Sequence, residues 1–429
     1  MTVAGIICEY NPFHYGHERH MRKTRESIAE LSGEDCAIVC AMSGNYVQRG
    51  DFAVFGKFTR AEAAVRCGAD LVVEIPSAYA LLSAEGFAAA GVHILESIGV
   101  CSQLSFGSEA GEIAGLMAVA EVLAKPEAGA LIREYSDLGL SYAVAAQKAV
   151  DRLAGEAAEL LKSPNNLLGI EYIKAIAAQS SKMRPITVER YGVAHDSGSG
   201  RGSSASGLRS RLASGHMPMV IKNQRGSTNN SNGTTRMVPP WIDMPYRASF
   251  VFIDEIKIRR GPVFMAQYEQ AMLSRLRSLD DFSALPGLSE GIERRFASFA
   301  AKEPTIDGLL RSVKTKRYAM SRVRRLLMCA CLGMTVDDTL EPPPYIRVLA
   351  MNEIGMALLR EAKDKAKLPI ITKAATVKAL GGRAAALFSK EAAATDFYVL
   401  AYEDVEKRVG GQEWRETPRI IDSEENKSF

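Results

Sequence analysis

The sequence predicts an α/β protein, with a parallel sheet in its N-terminal half and a mainly α-helical C-terminal half. Up to residue 106, short apolar runs alternate with charged helical stretches, which is typical of βαβ units and a parallel sheet. From Pro245 onward, apolar residues recur instead at helical spacing. With 429 residues, the chain is too long for a single ordinary core, so we expect two domains.

Short apolar runs mark the predicted strands, and the stretches between them are predicted helices. The strands are 3–8, 37–42, 70–75 and 103–106, and the helices are 18–31, 59–67 and 83–98. The second helix is expected to begin at a capping box, Thr59 to Glu62. Ligands bind beyond the carboxyl ends of parallel strands. The polar loops 9–17, 43–51 and 107–109 follow those ends, so we expect them to line one crevice.

Changes in composition predict the domain boundaries. Residues 110–180 are predicted to form a helical insertion, with Ser163 and Pro164 opening a helix, and 186–193 to form a further strand. The stretch 222–236 is rich in Gly, Ser, Asn and Thr and cannot bury a core. We therefore predict a first domain over 1–220, a flexible polar linker over 221–244 and a mainly helical domain over 245–429.

A basic segment lies in the predicted second domain. Residues 311–325 carry seven Lys or Arg side chains and no acid, in a stretch with apolar residues at helical spacing. Basic side chains are expected on an adjacent face of one helix, namely Lys314, Arg317, Arg324 and Arg325. Such clusters suit phosphate-rich partners, and a solvated helix face is an equally good interpretation.

The composition is that of an ordinary globular protein. Apolar residues make up 47% and charged residues 24%, and the net charge is +3. No apolar run reaches the roughly 18–20 residues of a spanning helix, and the N-terminal run is too short for a signal peptide. We therefore expect a cytoplasmic protein without a membrane partner. The seven cysteines contain no CxxC pair, so no disulfide framework or metal site is predicted, and Cys329 and Cys331 are expected in the core.

The loop after the first strand carries the residues that point most directly to chemistry. His14, His17 and His20 are three of the six histidines of the chain. They lie where a helix is expected to open, and a helix N-terminus offers unpaired N–H groups and a positive dipole end to phosphate. Gly16 allows close approach of a ligand. Two imidazoles on one helix face can donate hydrogen bonds to phosphate oxygens as charge builds in a transition state.

A metal site or two incidental surface histidines are the alternative interpretations of this loop. The pattern at 14–17 is the HxGH signature of the nucleotidyltransferase superfamily, and this resemblance implies a Rossmann-like domain that binds ATP. A second motif of that superfamily brings Ser/Thr and a basic residue to the phosphates. Ser203, Ser206 and Arg209 resemble its Ser/Thr-x-x-Arg form, with a helix N-cap and a solvated arginine as the alternatives.

Longer strings narrow the resemblance. They are 5–17, 42–50, 60–62, 104–109, 163–169, 195–196 and 203–209 in the first half, and 317–318, 324–327, 345–349, 369–373 and 394–398 in the second. Together they resemble the bacterial tRNA(Met) cytidine acetate ligase family from residue 3 to about 400. Three segments depart from the family's pattern, namely Gly207-Leu208, where Ala-Ile or similar is expected, the unusually polar stretch 222–236 and the Gly/Ser-rich lead-in at 197–204.

The family resemblance implies a two-step reaction with ATP, acetate and elongator tRNA(Met) as partners. Acetate condenses with ATP to give acetyl-adenylate and pyrophosphate, and the acetyl group then passes to N4 of the wobble cytidine. Mg²⁺ is expected to accompany ATP, held mainly by the phosphates. No catalytic nucleophile is needed, because the carboxylate attacks phosphorus and the cytosine amine attacks the mixed anhydride.

The resemblance also implies which residues act. His14 and His17 are the expected catalytic residues, and the basic residues of 311–325 named above are the tRNA-binding candidates. Gly107, Asn165 and Arg190 are expected to complete the ATP site. Its N-terminal stretch consists of Ile7, Cys8, Glu9, Tyr10, Asn11, Pro12, Phe13, His14, Tyr15, Gly16, His17, Glu18, Arg19 and His20.

Two other functions compete with this interpretation. The first is a small-molecule adenylyltransferase of the same superfamily, which would need no large second domain with a basic face. The second is a non-enzymatic RNA-binding protein with a degenerate nucleotide fold, and the intact His14, Gly16 and His17 argue against it.

Overall fold

A mainly parallel β-sheet organises the molecule. The computed structural model describes residues 1–190, 205–214, 244–288 and 291–422. Within these residues the strands are β1 Thr2–Cys8, β2 Cys36–Ser43, β3 Tyr46–Val47, β4 Asp51–Phe52, β5 Leu71–Ile75, β6 Gln103–Ser108, β7 Arg184–Glu189, β8 Ile346–Met351, β9 Ile370–Ile371 and β10 Arg419–Ile420. Eight of them form one sheet in the order β10-β8-β5-β2-β1-β6-β7, with β9 paired to β8, while β3 and β4 form a separate hairpin.

Helices make up most of residues 113–178 and 246–332. In chain order they are α1 Tyr15–Ser32, α2 Lys57–Arg66, α3 Ser77–Ala80, α4 Ala84–Ser97, α5 Ile113–Leu123, α6 Pro126–Asp137, α7 Tyr142–Ala154, α8 Pro164–Ala178, α9 Ala205–Ala213, α10 Tyr246–Lys257, α11 Glu269–Arg277, α12 Ile292–Lys302, α13 Ile306–Val313, α14 Met320–Leu332, α15 Glu353–Lys365, α16 Val377–Leu380, α17 Gly382–Tyr398 and α18 Gln412–Arg415. The predicted α/β class is confirmed. The strand predicted at 186–193 begins earlier, at Arg184, and ends at Glu189.

The order of the strands opens a crevice beside β1. β1, β2 and β5 are nearly continuous apolar runs, typical of parallel strands covered on both faces. β1 pairs in parallel with β2 on one side and with β6 on the other. The chain leaves β1 through α1 to reach β2, and it reaches the other side of β1 only later. Such a reversal leaves a ligand-binding crevice at the carboxyl ends of β1 and β6.

The C-terminal half contributes strands to the same sheet. β8 pairs antiparallel with β5, and β10 pairs in parallel with β8. A continuous apolar core runs from Val3 to Tyr402. The sequence predicted the helices of this half but not these strands. The division into domains at 221–244 stays a prediction, because nearly all of that segment lies outside the described residues.

The capping box predicted at Thr59 is wrong. The helix begins at Lys57, its N-cap is Gly56, and no side chain of its own sequence caps it. The amide of Lys57 instead donates to Oδ1 of Asn45, 2.9 Å away. A residue of the preceding loop therefore does what the local motif was expected to do.

The prediction that Lys314 and Arg317 share a helix with Arg324 and Arg325 is also wrong. α13 ends before Lys314, and α14 begins only at Met320. The hydroxyl of Thr315 accepts hydrogen bonds from the amides of Arg317 and Tyr318, each at 3.2 Å. Such a hydroxyl turn competes with helical hydrogen bonds and separates the two helices.

A buried ionic cluster joins α2 and β5 to the C-terminal helices. Nζ of Lys57 lies 2.7 Å from Oε1 of Glu74 and 2.7 Å from Oε2 of Glu413, and these side chains are at most 2% exposed. Glu391 of α17 accepts from the amide and hydroxyl of Ser77, at 2.6 and 2.7 Å. Removal of one partner from such a cluster leaves a charge buried without compensation.

Some kinds of chemistry are not found in the described residues. All seven cysteines are free thiols, and Cys329 and Cys331 are buried in the core as predicted. Across the described ranges, no helix combines the length and the apolar character needed to cross a bilayer. Nor do those ranges bring together three His, Cys, Asp or Glu side chains that could hold a metal ion.

Candidate active site

Hydrogen bonds from distant elements fix the loop between β1 and α1. Oδ1 of Asn11 accepts from the amide of Val54 at 2.8 Å, and the carbonyl of Asn11 accepts from Nη1 of Arg209 at 2.7 Å. Phe13 is fully buried and packs edge-on against Tyr10, with ring centroids 4.9 Å apart. The loop is thus preorganised, as electrostatic stabilisation of a transition state requires.

His14 and His17 cap the N-terminus of α1. Nδ1 of His14 accepts from the amide of Gly16 at 3.0 Å, and Nδ1 of His17 accepts from the amide of His14 at 3.2 Å. The two rings stack, with centroids 3.7 Å apart. A nitrogen that accepts a hydrogen bond carries no proton, so each neutral ring carries its proton on Nε2. Each histidine therefore has an N–H donor that the cap itself does not use.

Burial keeps the cleft histidines neutral. The pKa of His17 is well below its usual value, chiefly because the ring is buried and also because His14, Arg190 and His20 are near. Burial, with Arg190 nearby, lowers the pKa of His20 to about 4. A phosphate placed beside such rings raises their pKa again, since a negative charge favours the protonated form.

Two hydroxyl groups fix the tautomer of His20. Oγ1 of Thr24 donates to the carbonyl of His20 at 2.9 Å, so it accepts from Oγ of Ser105, 2.7 Å away. Ser105 has then given its single proton, and its oxygen accepts from Nε2 of His20 at 3.0 Å. Nδ1 of the neutral ring is consequently an acceptor. His20 lines the cleft and offers a ligand an acceptor, in contrast to the donors of the cap.

Arg60 holds the strand ends together, a role that its sequence context does not reveal. Its side chain is fully buried in α2. Nε donates to the carbonyl of Phe55 at 2.9 Å and Nη2 to that of Ser43 at 3.0 Å. The guanidinium also donates to the carbonyls of Glu9 and Gly44. Arg60 thereby ties the loop after β1 to the loop after β2.

The end of β6 supports Arg190 and Asn165. A Cβ at Gly107 would lie 3.0 Å from Cγ and Cδ of Arg190, so a larger residue there would push that side chain away from the strand. Nη1 of Arg190 donates to Oδ1 of Asn165 at 3.2 Å, and Nδ2 of Asn165 donates to Glu109 at 2.5 Å. The structure thus brings together the three residues expected to complete the ATP site, and adds Glu109, which orients the amide of Asn165.

These elements line a cleft of about 720 Å³. Glu9, Gln48 and Gly107 line it, which confirms that the three loops predicted to meet share one crevice. Among the described residues, Glu9 is the single acidic side chain of the lining. The described part of the lining also contributes six arginines, Arg49, Arg190, Arg209, Arg317, Arg322 and Arg325. A concave surface of this charge concentrates polyanions such as a triphosphate.

The predicted ATP-contacting stretch divides between cleft and support. The residues that line the cleft are Ile7, Cys8, Glu9, Tyr10, Asn11, His17 and His20. Pro12, Phe13 and His14 are buried behind it, while Tyr15, Gly16 and Arg19 are exposed. The stack on His17 places His14 directly beneath a cleft residue.

The second phosphate motif is partly described. Ser203 lies outside the described residues. Arg209 of α9 lines the cleft and binds the loop after β1 through Asn11, whereas Ser206 lies on the same helix but not in the lining.

The four basic candidates for tRNA binding do not lie together. Arg317 and Arg325 line the cleft. Arg324 forms an ion pair with Asp51, with 3.0 Å between Nη1 and Oδ2, and Lys314 is exposed in the turn after α13. The sequence interpretation missed Arg49 and Arg322, whose place in the cleft depends on contacts between elements far apart in the chain.

Comparisons with known proteins agree with this geometry. The HIGH Nucleotidyl Transferase family model matches residues 1–413. The tRNA(Met) cytidine acetate ligase of Acetivibrio thermocellus is 34% identical and covers 98% of this chain and 100% of its own. That of Caldicellulosiruptor saccharolyticus is 35% identical and covers 99% of this chain and 100% of its own.

A solved structure shares the whole architecture. Thermotoga maritima TmcAL, crystallised with alpha-thio ATP, superposes with a TM-score of 0.86 at 31% identity, over 99% of this chain and 100% of that one. The family model and the relatives extend across both halves of the chain, including β8 of the shared sheet. This chain therefore belongs to the HIGH nucleotidyltransferase family.

Proposed function

We propose that this chain is an ATP-dependent ligase that acetylates the wobble cytidine of elongator tRNA(Met). The observation that carries the proposal is the His14–His17 cap at the edge of a cleft lined by six arginines. The relatives that share this chain's full length bear the name of that activity.

In the first step, an acetate oxygen attacks the α-phosphorus of ATP, and pyrophosphate leaves. Acetate alone is a poor acyl donor because its leaving group would be oxide, and adenylation replaces that group with AMP. The Nε2–H groups of His14 and His17 would donate to the phosphate oxygens as charge builds, each worth about 2.7–4 kcal/mol by analogy with oxyanion holes. The arginines would bring the two anions together.

In the second step, the cytosine amine attacks the acetyl carbonyl, a C–N bond forms and AMP leaves with the C–O electrons. The amine proton is lost to solvent or to the departing phosphate. Gly107, Asn165 and Arg190 would hold the adenylate. Ser203, Ser206 and Arg209 remain the proposed second phosphate motif, while Lys314, Arg317, Arg324 and Arg325 remain proposed contacts of the tRNA.

Mg²⁺ would accompany ATP, coordinated mainly by phosphate oxygens. The donor set of the cleft fits this arrangement, because Glu9 already accepts from the amide of Gln48 at 2.6 Å. The cation would neutralise charge on the leaving pyrophosphate.

The test is incubation with ATP, labelled acetate and elongator tRNA(Met), followed by mass spectrometry of the tRNA nucleosides. We expect label on one cytidine, and none on a tRNA whose wobble cytidine is replaced by uridine. An unlabelled tRNA from protein that binds ATP would contradict the proposal. ATP turnover that ignores tRNA but responds to a phosphorylated metabolite would indicate a small-molecule adenylyltransferase instead.

A further inference from the structure

Arg325 of α14 is a half-buried cation with no acidic partner. No carboxylate of the described residues lies within ion-pair distance of it, although its neighbour Arg324 is paired with Asp51. Burial, with the charge of Arg322, lowers the pKa of Arg325 to about 10. Its side chain lines the cleft. Withdrawing a charge from water without a partner is unfavourable, so this arrangement destabilises the folded chain unless an anion binds there.

Arg49 enters the same cleft from the β3–β4 hairpin. Arg49 is exposed, lines the cleft and forms no ion pair among the described residues, although its charge acts on the carboxyl group of Glu9. The hairpin packs tightly on α14, since a Cβ at Gly50 would fall within 3.0 Å of the backbone of Arg324 and Arg325. The Arg324–Asp51 ion pair joins the same two elements. The backbones that carry Arg49 and Arg325 therefore lie next to each other, and both side chains line the cleft.

We propose that Arg325 and Arg49 form a phosphate-binding subsite on the wall that α14 and the β3–β4 hairpin share. The guanidinium groups of Arg325 and Arg49 each present a planar set of donors that matches the oxygens of a phosphate. Phosphate reaches this cleft from two sources, the triphosphate of ATP and the backbone of the tRNA. That ATP and tRNA are the two sources of phosphate rests on the proposed function. That an anion binds at Arg325 and Arg49 rests only on the contacts of the described residues.

The test compares Arg325→Met and Arg49→Met with Lys302→Ala in the full-length chain. Methionine keeps a long unbranched side chain but removes the charge and the donors. Lys302 is an exposed cation of α12 outside the cleft lining, so its variant controls for a change in net charge. Calorimetry measures binding of ATP, AMP and inorganic pyrophosphate without tRNA, and a salt titration measures binding of tRNA without ATP.

If the subsite holds the triphosphate, each cleft variant binds ATP and pyrophosphate about 10- to 100-fold more weakly, the range expected for lost hydrogen bonds to a charged group. Binding of AMP stays the same, because AMP lacks the β- and γ-phosphates. If the subsite holds the tRNA backbone, ATP binding is unchanged and the slope of log K against log salt falls by about one. Either result supports the subsite, and unchanged ATP, pyrophosphate and tRNA binding in both cleft variants overturns it.

Thermal unfolding separates this role from a structural one. A cation that supports the fold lowers the Tm when it is removed, whereas an unpaired half-buried cation kept for a ligand leaves the Tm equal or higher. We expect Arg325→Met to match or exceed the wild-type Tm and to lose part of the Tm increase on adding pyrophosphate or tRNA. A lower Tm with the ligand response intact would overturn the assignment. A wild type that binds ATP without acetylating tRNA would refute the proposed function and leave the subsite standing.

Discussion

His14 and His17 show how single residues serve structure and chemistry at once. Their Nδ1 atoms complete the N-terminus of α1, and the same hydrogen bonds assign the proton of each ring to Nε2. The cap thereby fixes which nitrogen is a donor before any substrate binds. Polar groups oriented in advance need no reorganisation in the transition state.

We expect His17→Ala to lower kcat about 100- to 1000-fold while changing the Kd for ATP far less, because the donor acts mainly as charge builds. For His14, asparagine is the better probe, since it keeps an N-cap acceptor but loses Nε2–H. Pyrophosphate release and calorimetry give the two quantities. Equal losses in turnover and binding would show that the histidines only position ATP.

His20 makes stability depend on pH. The folded chain holds its pKa at about 4, below the ordinary 6.5, so between these values only the unfolded chain binds the proton. Stability from this residue is present above pH 6.5 and is lost as the pH falls towards 4. We expect the Tm of the wild type to fall more steeply than that of His20→Gln over this window. Parallel curves would argue against a buried neutral ring.

The β3–β4 hairpin and α14 are a pair of elements whose contact shapes the cleft. Gly50 has a φ of +74°, and its missing side chain lets the hairpin touch the helix backbone. Gly333, at the C-terminus of α14, has a similar φ of +67° but no neighbour within 4 Å of a built Cβ. Alanine at either glycine strains the backbone, but only alanine at Gly50 would also clash with a neighbouring element. Comparing the two variants therefore separates backbone strain from crowding.

Gly50→Ala should therefore lower the Tm by more than Gly333→Ala, because only the first substitution also forces two backbones apart. We expect the difference to exceed ~1 kcal/mol in unfolding free energy, as for other overpacked sites. Only Gly50→Ala should also weaken ATP binding. Denaturant unfolding and calorimetry provide both measurements, and similar losses for the two variants would mean that the hairpin contact contributes little.

Elements were predictable from the sequence where local signals agreed with the fold. β1, β2, β5 and β6 are short apolar runs before polar loops, and each was recognised. The start of α2 was not, because Asn45 caps it from another loop. β8 was missed because its second residue is Arg347, a charged side chain that is accommodated by Glu413, which is distant in sequence. No local pattern reports such a partner.

At the scale of the molecule, the ionic cluster of Lys57, Glu74, Glu391 and Glu413 connects the two halves. Burial, together with the charge of Glu74, raises the pKa of Glu391 to about 8. The carboxyl group is then protonated in the folded chain at pH values where the unfolded chain has released its proton. Its contribution to stability is complete below its ordinary pKa of 4.5 and is lost as the pH rises through 8.

Glu391→Gln keeps the shape of the protonated group, with one oxygen for the amide of Ser77 and an NH₂ group for its hydroxyl. We expect the stability of the variant relative to the wild type to increase from pH 5 to pH 8, by at most roughly 1.4 kcal/mol per pH unit. Denaturant unfolding at several pH values measures this difference. A difference that stays constant across the range would show that Glu391 is ionised in the folded chain.

The sequence predicted those parts of the site that lie within one continuous stretch or one recognisable motif. The loop around His14 was identified from its own residues, whereas the roles of Gly107, Asn165 and Arg190 were predicted from the family resemblance. Arg60 supports the site through backbone carbonyls of two loops, and Arg322 reaches the cleft from α14. Only the folded chain brings these elements close together. A pattern in sequence identifies groups that act locally, while the walls of a cleft depend on how the halves pack.

β8 covers the edge of β5 but is synthesised long after it, so neighbouring strands of the sheet are made at very different times. Until the ribosome has synthesised residue 346, the edge of β5 that faces β8 is unpaired, and Lys57 and Glu74 lack their partner Glu413. The nascent half therefore presents an open edge on which other chains can pair. A premature stop codon upstream of β8 would therefore yield an aggregation-prone fragment and not a smaller enzyme. The last eighty or so residues keep the first two hundred from aggregating.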